Sequence, residues 1–90
     1  MNTKLPEKID YRYRAHIRNS IHVGTLQSRW GEDHLNWVAE EIGKELNENK
    51  ALCVSYPIKV EILSIEGESL GGYSVNRLPA VRFCAIEVLA

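Results

Sequence analysis

Among the 90 residues, those whose types could do chemistry are His16, His22, His34, Cys53, Cys84, a set of carboxylates, and the segment Gly67-Glu68-Ser69-Leu70-Gly71-Gly72. A phosphate-cradling loop needs a Gly-Lys-Ser/Thr ending and a helix behind it, because backbone N–H groups and the helix N-terminus hold the anion. The glycine-rich segment has neither, so Glu66 to Gly72 reads as a turn or hairpin loop. His16 and His22 share one parity of an extended run, yet six residues of strand set them about 20 Å apart, beyond the reach of one metal ion. His34 has Val38 at i+4 instead of a second ligand, which removes the helical zinc pair and leaves a solvated imidazole.

The remaining candidates fail on environment. Cys53 and Cys84 lack CxxC spacing and are too few for a disulfide framework, so reduced, packed thiols are expected. Cys84 as a nucleophile would need a converging histidine and cationic surroundings, whereas its apolar neighbours predict burial. Glu41, Glu45 and Glu48 are spaced for contact along a helix, but a wet helix face does not desolvate a carboxyl enough to make it a general acid or base. The expectation is a non-catalytic protein with no cofactor and no metal site.

Residues suited to binding form two sets. On a helical wheel of about 100° per residue, Trp37 falls nearly opposite the stripe of Leu35, Ile42 and Leu46, beside Glu41, Lys44 and Glu48. Trp30 lies seven positions earlier on nearly the same line, if the helix includes it. Tryptophan buries a large area at low rotamer cost and is enriched where binding energy concentrates. Trp30, Trp37, Glu41, Lys44 and Glu48 are therefore read as a face for a protein partner or a second copy of the chain. The alternative places Trp30 ahead of the helix as a cap on the core and Trp37 under a loop such as Glu66 to Gly72.

The second set is cationic. Arg12, Arg14, His16, Arg18 and His22 occupy one parity over about 35 Å of extended chain and would suit a phosphate backbone. Lys59, Arg77 and Arg82 extend the set, and Tyr11 or Tyr13 would offer stacking at an open sheet edge. Against this nucleic-acid reading stands cross-strand pairing of the arginines with Glu61, Glu66 or Glu87.

These residues need elements to hold them. Tyr11 to Val23 alternates with period two and predicts a strand closed by Gly24 and the polar residues Thr25, Gln27 and Ser28. From about Trp30 to Asn49, the spacing of Leu35, Val38, Ala39, Ile42 and Leu46 predicts an amphipathic helix, with Ser28 as N-cap and Glu32 and Asp33 in its first turn. Gly43 costs a helix roughly 1 kcal/mol against Ala, which implies close backbone packing, most naturally on the sheet. Leu52 to Tyr56 and Pro57 to Ile65 read as extended, Tyr73 to Arg77 as a shorter strand, and Val81 to Leu89 as a central strand or one packed on a partner. The order β, α, β, β, β with hairpin links predicts an α+β fold: a mostly antiparallel sheet of three to four strands with one helix on one face.

Composition bounds the rest. No linker, composition shift or repeat divides residues 1–90, so a single domain is expected. A hydrophobic fraction of 44% and a charged fraction of 26% exclude a disordered chain. Such a chain buries only about 60 to 65% of its unfolded surface, so the core is thin and a homodimer would profit it. Eleven Lys and Arg against 12 Asp and Glu leave a net charge of −1, so no overall field draws nucleic acid or membrane. The charges are segregated, however, with Glu32, Asp33, Glu40, Glu41, Glu45 and Glu48 in the helix and Lys4, Lys8, Arg12, Arg14 and Arg18 before it. The opening residues lack the apolar stretch of an export signal, and no run approaches the roughly 20 apolar residues of a membrane span, so a cytoplasmic protein is expected. The leading expectation is a small interaction module, a regulator, inhibitor or adaptor, acting through the acidic Trp-bearing helix. The alternatives are a nucleic-acid binder using Arg12, Arg14, His16, Arg18, Lys59 and Arg82, and an enzyme or ligand-binding subunit completed at an oligomer interface.

Overall fold

The computed structural model describes residues 8–80 and 82–88; Lys4, Val81 and Leu89 lie outside them. Five strands, β1 (Ile9–Ile17), β2 (Ser20–Ser28), β3 (Ile58–Leu63), β4 (Ser69–Leu78) and β5 (Arg82–Glu87), form one sheet in the order β2-β1-β3-β4-β5. Every neighbouring pair is antiparallel. The helix α1 (Leu35–Glu48) follows β2 and carries the chain across β1 to β3. The class is α+β as expected, with five strands instead of three or four and the order β, β, α, β, β, β.

The extra strand comes from a hairpin inside the run read as one strand. Ile17 pairs with Ser20, so the chain reverses through Arg18 and Asn19, with Arg18 at a φ of 55° and Ser20 Oγ donating to the Ile17 carbonyl. A two-residue loop joins residues of opposite parity on one face. Tyr11, Tyr13, Ala15 and Ile17 therefore face the core, whereas Ile21 and Val23, of the same parity in sequence, turn to the open face, 55% and 65% exposed. His22 pairs with Ala15 on the helix side and His16 with Ile21 on the open side, so the two histidines sit on opposite faces.

Gly24 lies within β2 and does not end it. It pairs with Tyr13, whose ring covers it so closely that a Cβ there would come within 2.6 Å of the phenol oxygen. Gly71 and Gly72 likewise belong to β4, and the turn between β3 and β4 centres on Gly67, whose φ of 97° excludes most side chains. Leu52 to Tyr56 is irregular rather than a strand; a cis Tyr56-Pro57 bond precedes β3, and Tyr56 Oη donates to the Gly43 carbonyl at 2.7 Å. β5 is an edge strand, not a central one.

The helix begins later than its pattern suggests. Trp30 precedes a 3-10 turn, Glu32–His34, and α1 starts at Leu35. Ser28 is not its cap: Ser28 ends β2, nearly fully buried, and no side chain caps α1. Leu35, Val38, Ala39, Ile42, Gly43 and Leu46 form the buried stripe. They close a core with Tyr11, Tyr13, Ala15, Ile17, Ile58, Val60, Ile62, Tyr73 and Val75 from the inner face of the sheet. Gly43 approaches β4 so closely that a Cβ would stand 2.6 Å from Val75 Cγ1, which accounts for a glycine in mid-helix. α1 lies chiefly over β4 and β5, leaving the β1–β2 hairpin less covered. Among the described residues no helix is long and apolar enough to cross a membrane.

Candidate functional site

Trp37 is 38% exposed on the outer side of α1. Trp30, although outside the helix, reaches it: the ring centroids are 4.4 Å apart at 63°, an edge-to-face contact worth about 0.5–1.5 kcal/mol beyond the area it buries. His34, exposed as expected, also stacks on Trp37 at 4.6 Å and 11° and lies 5.7 Å from Trp30, so the three rings form one cluster. The Arg29 guanidinium carbon lies 4.8 Å from the Trp30 ring centroid, a cation–π contact within the chain.

Beside these rings opens a recess of about 470 Å³ lined by Trp30, Trp37, Glu40, Glu41, Lys44, Arg82 and Phe83. Its carboxylates are held. Ser28 Oγ donates to Glu41 Oε1 and accepts the Trp30 backbone N–H at 3.1 Å, so one buried hydroxyl ties the carboxylate to the chain bearing the first indole. Tyr11 Oη donates to the Trp30 carbonyl at 2.8 Å, and the Ala85 N–H reaches Glu40 Oε2 at 3.4 Å. Two indoles thus stand beside two fixed carboxylates and two cations, Lys44 and Arg82, giving a surface that is aromatic on one side and charge-balanced on the other.

The fold brings together Trp37, Glu41 and Lys44 on α1 and leaves exposed Glu48 further along the helix, outside the recess; Trp30 reaches them from ahead of the helix, where it also packs against the core as the alternative had it. Arg82, grouped with the cations, lines this recess instead. Glu40 and Phe83 were not foreseen. Glu40 is three residues from Trp37 and four from Lys44, a helical spacing that would have shown it, whereas Phe83 arrives on a distant strand.

The cationic set is divided. Arg12, Arg14 and His16 lie on the open face of β1, and Lys59 pairs with His16 from β3. Arg18 sits in the hairpin turn and His22 on the other face, so no continuous ladder exists. Arg14 Nη1 lies 3.2 Å from Glu61 Oε1, and Ser69 Oγ donates to Glu61 Oε2 at 2.9 Å. Of the arginine pairings expected against the nucleic-acid reading, this one with Glu61 is present among the described residues; at such exposure it contributes under about 1 kcal/mol. Tyr11 and Tyr13 are 2% and 3% exposed, so neither can stack a base on the open face. Burial pushes both phenols above their ordinary range, with the negative charge of Glu32 adding to the effect on Tyr11 and that of Glu45 to the effect on Tyr13.

Neither cysteine is bridged; Cys53 is exposed and not packed, and Cys84 is half-buried. Among the described residues no three His, Cys, Asp or Glu side chains are grouped to hold a metal. Comparison with models of protein families, with curated proteins and with solved structures finds no match to this chain.

Proposed function

We propose that this protein is a small interaction module, a regulator, inhibitor or adaptor, that docks on another protein through the Trp30–Trp37 recess. The observation carrying this reading is the outward Trp37, packed by Trp30 and His34 into one orientation beside two tethered carboxylates. A pre-ordered aromatic loses little rotamer freedom on binding, so more of its buried area becomes affinity. The indoles suit an aromatic or cationic side chain, as Arg29 lies against Trp30 within the chain, and the balanced charges of Glu40, Glu41, Lys44 and Arg82 suit polar contacts around it.

The test compares proteins retained by the wild-type chain with those retained by Trp37→Ala and Arg12→Gln/Lys59→Gln chains. The expected result is a defined protein held by the wild type and the Arg12/Lys59 variant and lost by Trp37→Ala, whose purified form then perturbs the indole fluorescence. Retention unaffected by Trp37→Ala overturns the reading.

A second reading, phosphate binding on the open sheet face, is favoured by the cross-strand neighbours His16 and Lys59 there, with Arg12 and Arg14 further along the same face. It requires oligonucleotide binding that weakens steeply with salt and is lost in the Arg12→Gln/Lys59→Gln variant. The absence of such binding at low salt removes it.

A further inference from the structure

The two edges of the sheet are finished differently. β5 is only six residues long, begins with Arg82 and ends with Glu87. The N–H of Ala85 donates to Glu40 on α1, so the helix packed over β4 and β5 also caps that edge. Charges at the ends, short length and a covering element are the usual protections of an exposed strand.

β2 is less protected: α1 meets it chiefly at its end, where Glu41 holds the buried Ser28. Its nine residues, Ser-Ile-His-Val-Gly-Thr-Leu-Gln-Ser, include no charged residue and no proline. Its register with β1 runs from Ile9↔Ser28 to Ile17↔Ser20 without a bulge, so the strand stays regular over its whole length. Among the described residues nothing pairs with its outer side, and α1 lies mainly elsewhere. A long, regular strand with free backbone donors and acceptors is a template for another strand, and here β-branched Ile21 and Val23 stand exposed beside it.

We infer that β2 pairs antiparallel with β2 of a second copy of this chain, joining two five-stranded sheets into one about a two-fold axis. Symmetry selects this occupant. In a two-fold strand pair the side chains beside the axis approach their own copies, so a charge at Val23 or Thr25 would meet its like, and a strand without Lys, Arg, Asp or Glu avoids that repulsion. Full overlap sets the axis at Gly24, places Val23 opposite Thr25 of the second copy and diagonal to its Val23, and forms about eight to ten backbone hydrogen bonds. The nearest charges are exposed Arg18 and Arg29 at the two ends of the strand; full overlap brings Arg18 of one copy toward Arg29 of the other, so the pairing tightens as salt screens them, whereas Arg12 and Arg14 on β1 do not oppose it. Three strand spacings, about 14 Å, separate β1 from its copy, beyond the screening length of about 8 Å at physiological salt.

Sedimentation equilibrium of the full chain from micromolar to millimolar concentration tests the pairing. The expected mass rises from 10.3 kDa toward twice that value. Val23→Lys and Thr25→Lys, both at exposed positions of β2, each weaken dimerisation at least about tenfold, because each lysine is brought near its counterpart. Ile86→Lys, at a 66% exposed position on β5, leaves it unchanged. Circular dichroism confirms that the variants fold, and in the wild type hydrogen exchange of the β2 amides slows as concentration rises. A chain that stays at 10.3 kDa throughout overturns the inference and leaves the edge to a strand of another protein. A dimer indifferent to both β2 lysines, or broken equally by Ile86→Lys, also overturns it.

Discussion

The indole of Trp30, carried by the chain between β2 and the helix, meets the indole of Trp37 on α1 edge to face at 4.4 Å. A residue outside the helix thereby fixes the orientation of one on it. Truncating Trp37 to alanine removes this contact and the His34 stack but opens no sealed cavity, because the ring is 38% exposed. The expected cost is about 1–2 kcal/mol. For a domain of this size that lowers the melting temperature by about 4–8 °C per kcal/mol, measured by calorimetry. A fall several times larger would place the ring among core residues and remove it from the docking role.

Ser28 joins β2, Trp30 and Glu41 through one buried hydroxyl. Ser28→Ala leaves the Trp30 N–H without its acceptor and Glu41 without its donor. The expected destabilisation is about 1–3 kcal/mol by denaturant unfolding, with a changed near-ultraviolet dichroism as the indole pair loosens. An unaltered aromatic spectrum would show that the hydroxyl does not position the recess.

Gly43→Ala sets helix propensity against packing. Alanine favours a helix by roughly 1 kcal/mol, but its Cβ would enter within 2.6 Å of Val75 Cγ1, and overpacking costs about 1–3 kcal/mol. Net destabilisation is expected. Combining it with Val75→Ala should cost less than the sum of the two single variants, because the removed methyl groups make room for the new one; strict additivity in a double-mutant cycle would refute the contact.

All four tyrosines, Tyr11, Tyr13, Tyr56 and Tyr73, have phenol pKa values raised above 10.0, with burial as the largest cause. The folded chain thus holds its phenolic protons at a pH where the unfolded chain releases them. The tyrosine contribution to stability is complete below pH 10 and is lost as pH rises through the raised values. Denaturant midpoints should therefore fall above pH 10, with near-ultraviolet phenolate absorbance appearing together with unfolding. Phenols that ionise at their ordinary pH in the folded chain would contradict the burial.

Local pattern was enough for several features. The buried stripe of α1 follows from the spacing of Leu35, Val38, Ala39, Ile42 and Leu46, since a 3.6-residue period leaves one face apolar. The close contact at Gly43 could be anticipated because a mid-helix glycine is costly without one. Trp37, Glu41 and Lys44 could be placed on the outer face by the same periodicity.

Other features required the folded chain. The Arg18–Asn19 reversal carries no glycine, and its one mark is Asn19, which interrupts the apolar parity between Ile17 and Ile21 but does not by itself show a reversal. Only pairing across the turn decides that Val23 faces outward while Tyr13 faces in. The extent of β4 was hidden by Gly71 and Gly72, which read as turn residues until neighbouring strands supply their hydrogen bonds. Phe83 reaches the Trp recess from a strand some fifty residues beyond Trp30, through a sheet order that no local window contains. Periodicity reports which face a residue takes within its own element; which elements become neighbours is decided by pairing and packing between segments distant in sequence, and that is where both the recess and the bare edge of β2 arise.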